Sequence, residues 1–201
     1  AATCEDFITA MEDGAGLDLK QFRRWYEQAG TPKVTVDQRH DGDTITLTLT
    51  QEVPATPGQP EKAPVPIPLR IALFDRESGE HAGEQLIVLT DATQDFTFEG
   101  FARPPILSIN PGFTAPVAIT RDISREDLVF LARHDDDAFA RHEAMQELLL
   151  GYLLGGEEEG ARFKLLRLLH AIKSPRKQIQ KFLLEELATT PPSDSEVEAC
   201  L

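Results

Sequence analysis

Residues 44–50 read Thr-Ile-Thr-Leu-Thr-Leu-Thr, and no other stretch limits the fold so tightly. Strict alternation has the period of a pleated strand, whose successive side chains leave on opposite faces. Ile45, Leu47 and Leu49 therefore share one face and need a core. The threonines share the other face, which suits solvent or a sheet neighbour. Upstream, Asp41-Gly42 is a strong short-turn signal, and Val34 and Val36 alternate with polar residues before it. Further strands are expected at Leu69–Asp75, Gln85–Leu89, Phe96–Phe98, Ile106–Ile109 and Val117–Thr120. Prolines at 54, 57, 60, 64, 66 and 68 mark a surface loop with an extended exit, because proline cannot donate to a central ladder. Seven or so short strands, with no helical period between them, predict an antiparallel immunoglobulin-like β-sandwich over residues 31–121. The Cys…Trp…Cys pattern of true immunoglobulin domains is missing, so the likeness is one of architecture.

Helical periods flank this region. Residues 3–29 read as a helical hairpin, its first arm opened by Thr3 with Asp6 in capping-box position and broken at Gly14-Ala15-Gly16. Asp18 is a plausible N-cap for the second arm, Leu19, Phe22, Trp25 and Tyr26 form its apolar stripe, and Gly30 stops it. The three aromatic residues are expected to pack the hairpin against the sandwich or against a preceding core. Pro32 then steers the chain into extended structure. Past Asp122, Ser124 can cap a helix carrying Leu128, Val129, Leu131 and Ala132. A second helix is expected over Ala138–Leu154, a third over Arg162–Lys173, and a fourth opening at Ser174-Pro175, before an acidic tail at 190–201. The organisation predicted is thus mixed and multi-domain: helical over 1–30, sandwich over 31–121, helical over 122–201.

Charge narrows the function. The formal net charge is −14, with 3 basic against 6 acidic residues over 1–30, 7 against 12 over 31–121 and 10 against 16 over 122–201. An acidic balance in every segment excludes broad nucleic-acid binding, which needs a basic face. Cys4 and Cys200 stand at opposite ends and make no disulfide framework, which fits a reducing, cytoplasmic setting. No apolar run is long enough to span a membrane. The opening Ala1-Ala2-Thr3 has neither an initiator Met nor a secretory signal, so the chain reads as an internal cut or a processed product.

Several local stretches carry a likeness. They include Phe22-Arg23-Arg24-Trp25-Tyr26 followed by Gly30-Thr31-Pro32 and Val34-Thr35-Val36, and Pro54-Ala55-Thr56-Pro57 with Glu61-Lys62. They continue with Ile67-Pro68-Leu69 through Leu73-Phe74-Asp75, then Phe113-Thr114-Ala115-Pro116-Val117 and Phe130-Leu131-Ala132-Arg133-His134. In order and spacing this set resembles bacterial aminopeptidase N, a zinc-dependent aminopeptidase family. The resemblance implies the end of a catalytic domain, then a β-sandwich acting as spacer, then the start of a helical C-terminal domain. It also implies a parent enzyme that removes N-terminal amino acids from peptides. The parent's zinc would be held by two His and a Glu, with a further Glu activating water. None of those residues has a match here, so no catalytic, cofactor-binding or metal-binding residue is expected in this chain. The partner implied is the parent's own catalytic domain.

Motifs that imitate chemistry have plainer readings. His142-Glu143-Ala144-Met145-Gln146 begins like a zincin helix, but its fifth position is Gln146 where a second His is required. The family's third ligand, a Glu nineteen residues past that His, would fall on Leu165. Ala10-Met11-Glu12-Asp13 imitates the family's substrate-binding Gly-Ala-Met-Glu-Asn, yet Thr9 and Asp13 replace its ends, and Glu12 is read as surface. Histidines 40, 81, 134, 142 and 170 share no ligand spacing. Asp135-Asp136-Asp137 reads as an N-capping turn, a metal site shared with His134 being the weaker alternative. No Gly-x-Ser-x-Gly, P-loop or dinucleotide fingerprint occurs. Residues 162–181 hold seven basic side chains (Arg162, Lys164, Arg167, Lys173, Arg176, Lys177, Lys181) and no acidic one. This is a basic amphipathic stretch that reads as a bundle helix, or, in a competing class, as the contact of a stand-alone adaptor for an acidic or membrane partner.

Overall fold

Strands form where the alternation predicts them. β1 (Lys33–Asp41) and β2 (Thr44–Glu52) make an antiparallel hairpin around Gly42, whose φ of +63° suits a residue without Cβ. β3 (Ile67–Phe74), β4 (His81–Leu89), β5 (Thr93–Glu99), β6 (Ile106–Ile109) and β7 (Ala118–Arg121) complete two sheets, ordered β5-β2-β1-β7 and β4-β3-β6. All pairs are antiparallel except β1 with β7. In this computed structural model the described residues are 2–154. The helices expected from residue 162 onward, the basic stretch 162–181 and the tail 190–201 lie outside them.

The core is the set of faces that the alternation assigned to it. Ile45, Leu47 and Leu49 of one sheet and Ile67, Leu69 and Ile71 of the other are all 0 % exposed. Each such side chain contributes about 1.5–3 kcal/mol on burial. The threonines of β2 face outward, where Thr48 Oγ1 donates to Asp95 Oδ1 at 2.6 Å and Thr50 pairs with Thr93 at 3.1 Å. Pro68 lies inside β3, yet β6 pairs only with residues Ile71–Phe74, so at Pro68 the strand has a neighbour on one side alone.

Gln51, Ser108 and Asn110 are polar side chains buried within this apolar frame, and Gln51 bridges the most segments. Gln51 accepts from the Val65 N–H at 2.9 Å and donates to the carbonyls of Val65 and Asp91, both at 3.0 Å. It ties the end of β2 to the segment leading into β3 and to the β4–β5 turn.

At the N-terminus α1 (Cys4–Ala15) carries the expected capping box: Thr3 Oγ1 accepts from the Asp6 N–H, and Asp6 accepts from the Thr3 N–H. Gly16, at φ +65°, ends it. The second arm of the predicted hairpin is shorter than expected. Only α2 (Arg24–Glu27), four residues long, is helical, and residues 20–23 are turn. Asp18 accepts from the Lys20 N–H in a local turn and caps no helix. Gln21 and Arg23 in this stretch are instead committed to tertiary hydrogen bonds, which outweigh propensity.

The chain divides into two units, Ala1–Ile123 and Ser124–Leu201. In the second, α3 (Arg125–His134) is capped by Ser124, whose Oγ accepts from the Asp127 N–H at 3.1 Å. α4 (Ala138–Leu154) packs on α3, burying Leu128, Leu131, Ala144 and Leu148. Asp137 Oδ1 accepts from the Ala140 N–H, and Asp135 Oδ1 from the Asp137 N–H, so the aspartate run starts α4.

Replacing Gln51 by Leu should leave the Val65 and Asp91 backbone groups unpaired at about 1–3 kcal/mol each. We expect a clear fall of the urea midpoint with an unchanged m-value; a Gln51→Leu protein as stable as the parent would contradict this account.

Candidate functional site

Five of residues 54–66 are prolines without an amide, and apart from a bridge between Thr56 and Gln59 the segment joins no strand ladder. Residues 21–29 meet them with side chains. Trp25 Nε1 donates to Pro66 O at 2.8 Å, and Arg24 Nη1 to Pro64 O at 2.5 Å. Gln21 Nε2 donates to Pro64 O at 3.3 Å and, beyond the segment, to Thr90 O at 2.6 Å. Gln28 makes a two-way pair with Ala63, donating at 2.9 Å and accepting at 2.6 Å. From the loop side, Gln59 donates to Glu27 O and accepts from the Ala29 N–H. Lys62 Nζ donates to three oxygens, Ala29 O, Pro54 O and Thr56 Oγ1, at 2.5, 2.6 and 2.9 Å. Hydrogen bonds from a charged donor are worth about 1.5–3 kcal/mol each, so Lys62 is a strong fastener. The Trp25 ring also packs against the sandwich core.

Arg23 faces the other way and holds α1. Its guanidinium binds Glu12 at 2.8 Å through both terminal nitrogens and Glu5 through Nε and Nη2. Glu12 also accepts from the Leu19 N–H at 2.8 Å. The Arg23 guanidinium, then that N–H, pull the Glu12 carboxyl down to about 2 from its ordinary 4.5, and Arg23 lowers Glu5 as well. Glu12 was expected at the surface with no role; its side chain is in fact only 20 % exposed and closes this clamp. The signal available in the sequence was the pair of carboxylates seven apart on one helix, opposite an arginine.

With α1 so fixed, apolar side chains remain uncovered. Phe7, Met11, Leu17 and Tyr26 are 44–58 % exposed, four of the eight large hydrophobic residues so exposed among the described residues. Phe7 and Met11, four apart on α1, share a face. Of the three aromatics of the junction, Trp25 binds the sandwich, while Phe22 meets Tyr26 edge-on at 5.9 Å.

The residues that imitate a zinc site do not assemble one. His142 and Glu143 are exposed on α4, and Gln146 Nε2 lies 3.4 Å from His142 Nε2, an amide occupying the place of a second imidazole ligand. An amide is a poor zinc ligand, so these residues do not fit the metal. No group of three or more His, Cys, Asp or Glu among the described residues could hold a metal ion. His40 instead contacts Phe101 O at 2.7 Å, His81 lies 3.8 Å from Glu84, and His134 stacks on Phe130. His170 lies outside the described residues. No described helix is long and apolar enough to cross a membrane.

Two family models match the chain: a domain of unknown function, DUF3458, with an Ig-like fold over residues 30–122, and its companion DUF3458_C, ARM repeats, over residues 125–199. Aminopeptidase N of Escherichia coli is 42 % identical over 162 residues, covering 76 % of this chain and 19 % of the relative. Aminopeptidase N of Haemophilus influenzae is 41 % identical, covering 74 % and 18 %. The crystal structure of Legionella pneumophila aminopeptidase A in complex with aspartic acid superposes with a TM-score of 0.69 at 26 % identity, covering 98 % of this chain and 23 % of that one. The chain thus spans about a fifth of the length of the curated relatives it matches.

The clamp has a pH signature. Because the Glu12 carboxyl is depressed in the folded state, its contribution is complete above pH 4.5 and is lost as the pH falls toward about 2. The thermal midpoint should drop across that window, and drop less steeply in Arg23→Met. Equal slopes for the two proteins would show that the clamp contributes nothing.

Proposed function

The chain belongs to the aminopeptidase N family over its matched residues, and we propose that it serves as a non-catalytic portion of a zinc metallo-aminopeptidase, its sandwich acting as a spacer. The observation that carries this reading is the exposure of four apolar side chains, Phe7, Met11, Leu17 and Tyr26, in the segment that Arg23 ties to Glu12. Monomeric surfaces seldom leave such residues clustered in one short stretch unless another surface covers them. The covering partner in this reading is the catalytic domain of the same polypeptide. The metal and its water-activating Glu would lie in that domain, and this chain's residues would position it. Peptide substrates belong to the parent and not to this portion. The exposed thiol of Cys4 is in keeping with a reducing, cytoplasmic setting.

Two measurements test the reading. The chain by itself should contain no stoichiometric zinc and release no fluorophore from aminoacyl substrates; chelator-sensitive turnover would overturn it. Phe7→Glu with Met11→Gln should leave the isolated chain within about 0.5 kcal/mol of its starting stability. In a longer polypeptide that includes the catalytic domain, the same pair should lower the unfolding midpoint. An unchanged midpoint there would remove the proposed docking face.

A further inference from the structure

The inner row of β4 changes character halfway along. Leu89 and Ile87 pair with Ile67 and Leu69 and lie in the core, but the next two inner positions, opposite Ile71 and Leu73, are Gln85 and Gly83. Across the sandwich Phe96 and Phe98 of β5 continue the apolar row, opposite Leu47 and Ile45. Where Gly83 and Gln85 fail to fill their side, the sheets part into an open cleft of about 440 Å³, lined by Ile71, Leu73, Gly83, Gln85, Phe98 and Phe101. Phe101 is fixed in its wall by its N–H to Asp43 O at 2.8 Å and by His40 on its carbonyl.

Gly83 adjoins an irregularity in the ladder, where the register shifts between Leu73, opposite Gly83, and Phe74, opposite His81, and no described side chain crowds it. It is absent from the positive-φ residues, and a Cβ built there would meet nothing within 4 Å. A strand glycine marks a bulge or a place where another backbone comes close, and here the bulge and open space lie side by side. Among the described residues both flanking strands are edges: β4 pairs only with β3, and β5 only with β2. Each therefore presents unpaired N–H and C=O groups beside the cleft.

We propose that this cleft binds an extended peptide segment, added to the β4 edge, that places an apolar side chain over Gly83 and carries lysine or arginine on either side. The apolar residue completes the inner row that β4 leaves short, as in strand addition generally. Charge sets the flanking residues. Glu99 at the rim has no ion pair among the described residues; Glu84, also lining the cleft, is paired with Arg70 at 3.2 Å and lies 3.8 Å from His81, so Glu99 is the acidic group left to a ligand. Residues 1–123 as a whole hold 10 basic against 19 acidic side chains. The site is separate from the α1 face and does not depend on what covers that face.

Fluorescence anisotropy on the 201-residue chain tests it, with acetylated, fluorescein-labelled Lys-Leu-Lys-Leu-Lys, its Glu-for-Lys counterpart, and a copy N-methylated at alternate amides. The lysine peptide should bind and the glutamate peptide should not. N-methylation should weaken binding by about tenfold or more, since it removes ladder hydrogen bonds. Gly83→Val, which fills the gap, should weaken it by about tenfold or more while keeping the thermal midpoint at or above that of the parent. Glu99→Lys should weaken the lysine peptide alone. No binding, equal binding of the two charge forms, an unaffected N-methylated peptide, or full binding to Gly83→Val would each overturn the proposal. N-acetyl-leucinamide binding as tightly as the pentapeptide would overturn it too, by making the cleft a small-molecule pocket.

Discussion

Prolines at 54, 57, 60, 64 and 66 remove the amides with which a neighbouring strand would pair, and the carbonyls between them still need donors. Gln21, Arg24, Trp25 and Gln28 supply those donors from one side, and Gln59 and Lys62 close the gap from the other. Because the bonds cross residue 30, the junction and the sandwich behave as one rigid piece. The proline segment leads straight into β3, the central strand of its sheet, so the register of that sheet starts from the same set of bonds. Arg23 then extends the rigidity to α1 through two carboxylates.

Much of the fold was legible because its strands are amphipathic. The alternation of residues 44–50, the turn at Asp41-Gly42 and the caps at Thr3 and Ser124 each act locally, and each appears where the pattern places it. The junction was less legible. Leu19, Phe22, Trp25 and Tyr26 have helical spacing, yet only Arg24–Glu27 is helical. The competing demand came from carbonyls 35 to 43 residues away in sequence, which no local window contains. Glu12 was hidden for the same reason, since its partner Arg23 is reached only after the chain turns at Gly16. The family likeness was carried by short matches whose order and spacing, more than any one of them, set them apart.

The run from His142 to Gln146 shows how much a metal motif depends on its last ligand. Helical spacing does bring positions 142 and 146 together, at 3.4 Å, but with an amide where an imidazole is needed. The same α4 face remains an ordinary wet surface, while the opposite face packs on α3 through Ala144 and Leu148.

The parallel pairing of β1 with β7 has a mechanical side. Lys33 lies beside Ala118 and Val36 beside Arg121, and the Ala118 N–H reaches back to Pro32 O at 2.9 Å. The chain enters the sandwich at one end of this pair and leaves it at the other. Tension applied between residues 31 and 122 therefore pulls the two strands past each other. It loads their hydrogen bonds together, in shear, where peeling would break them one by one. A sandwich wired this way transmits force along the polypeptide without lengthening, as a taut link between whatever precedes it and whatever follows.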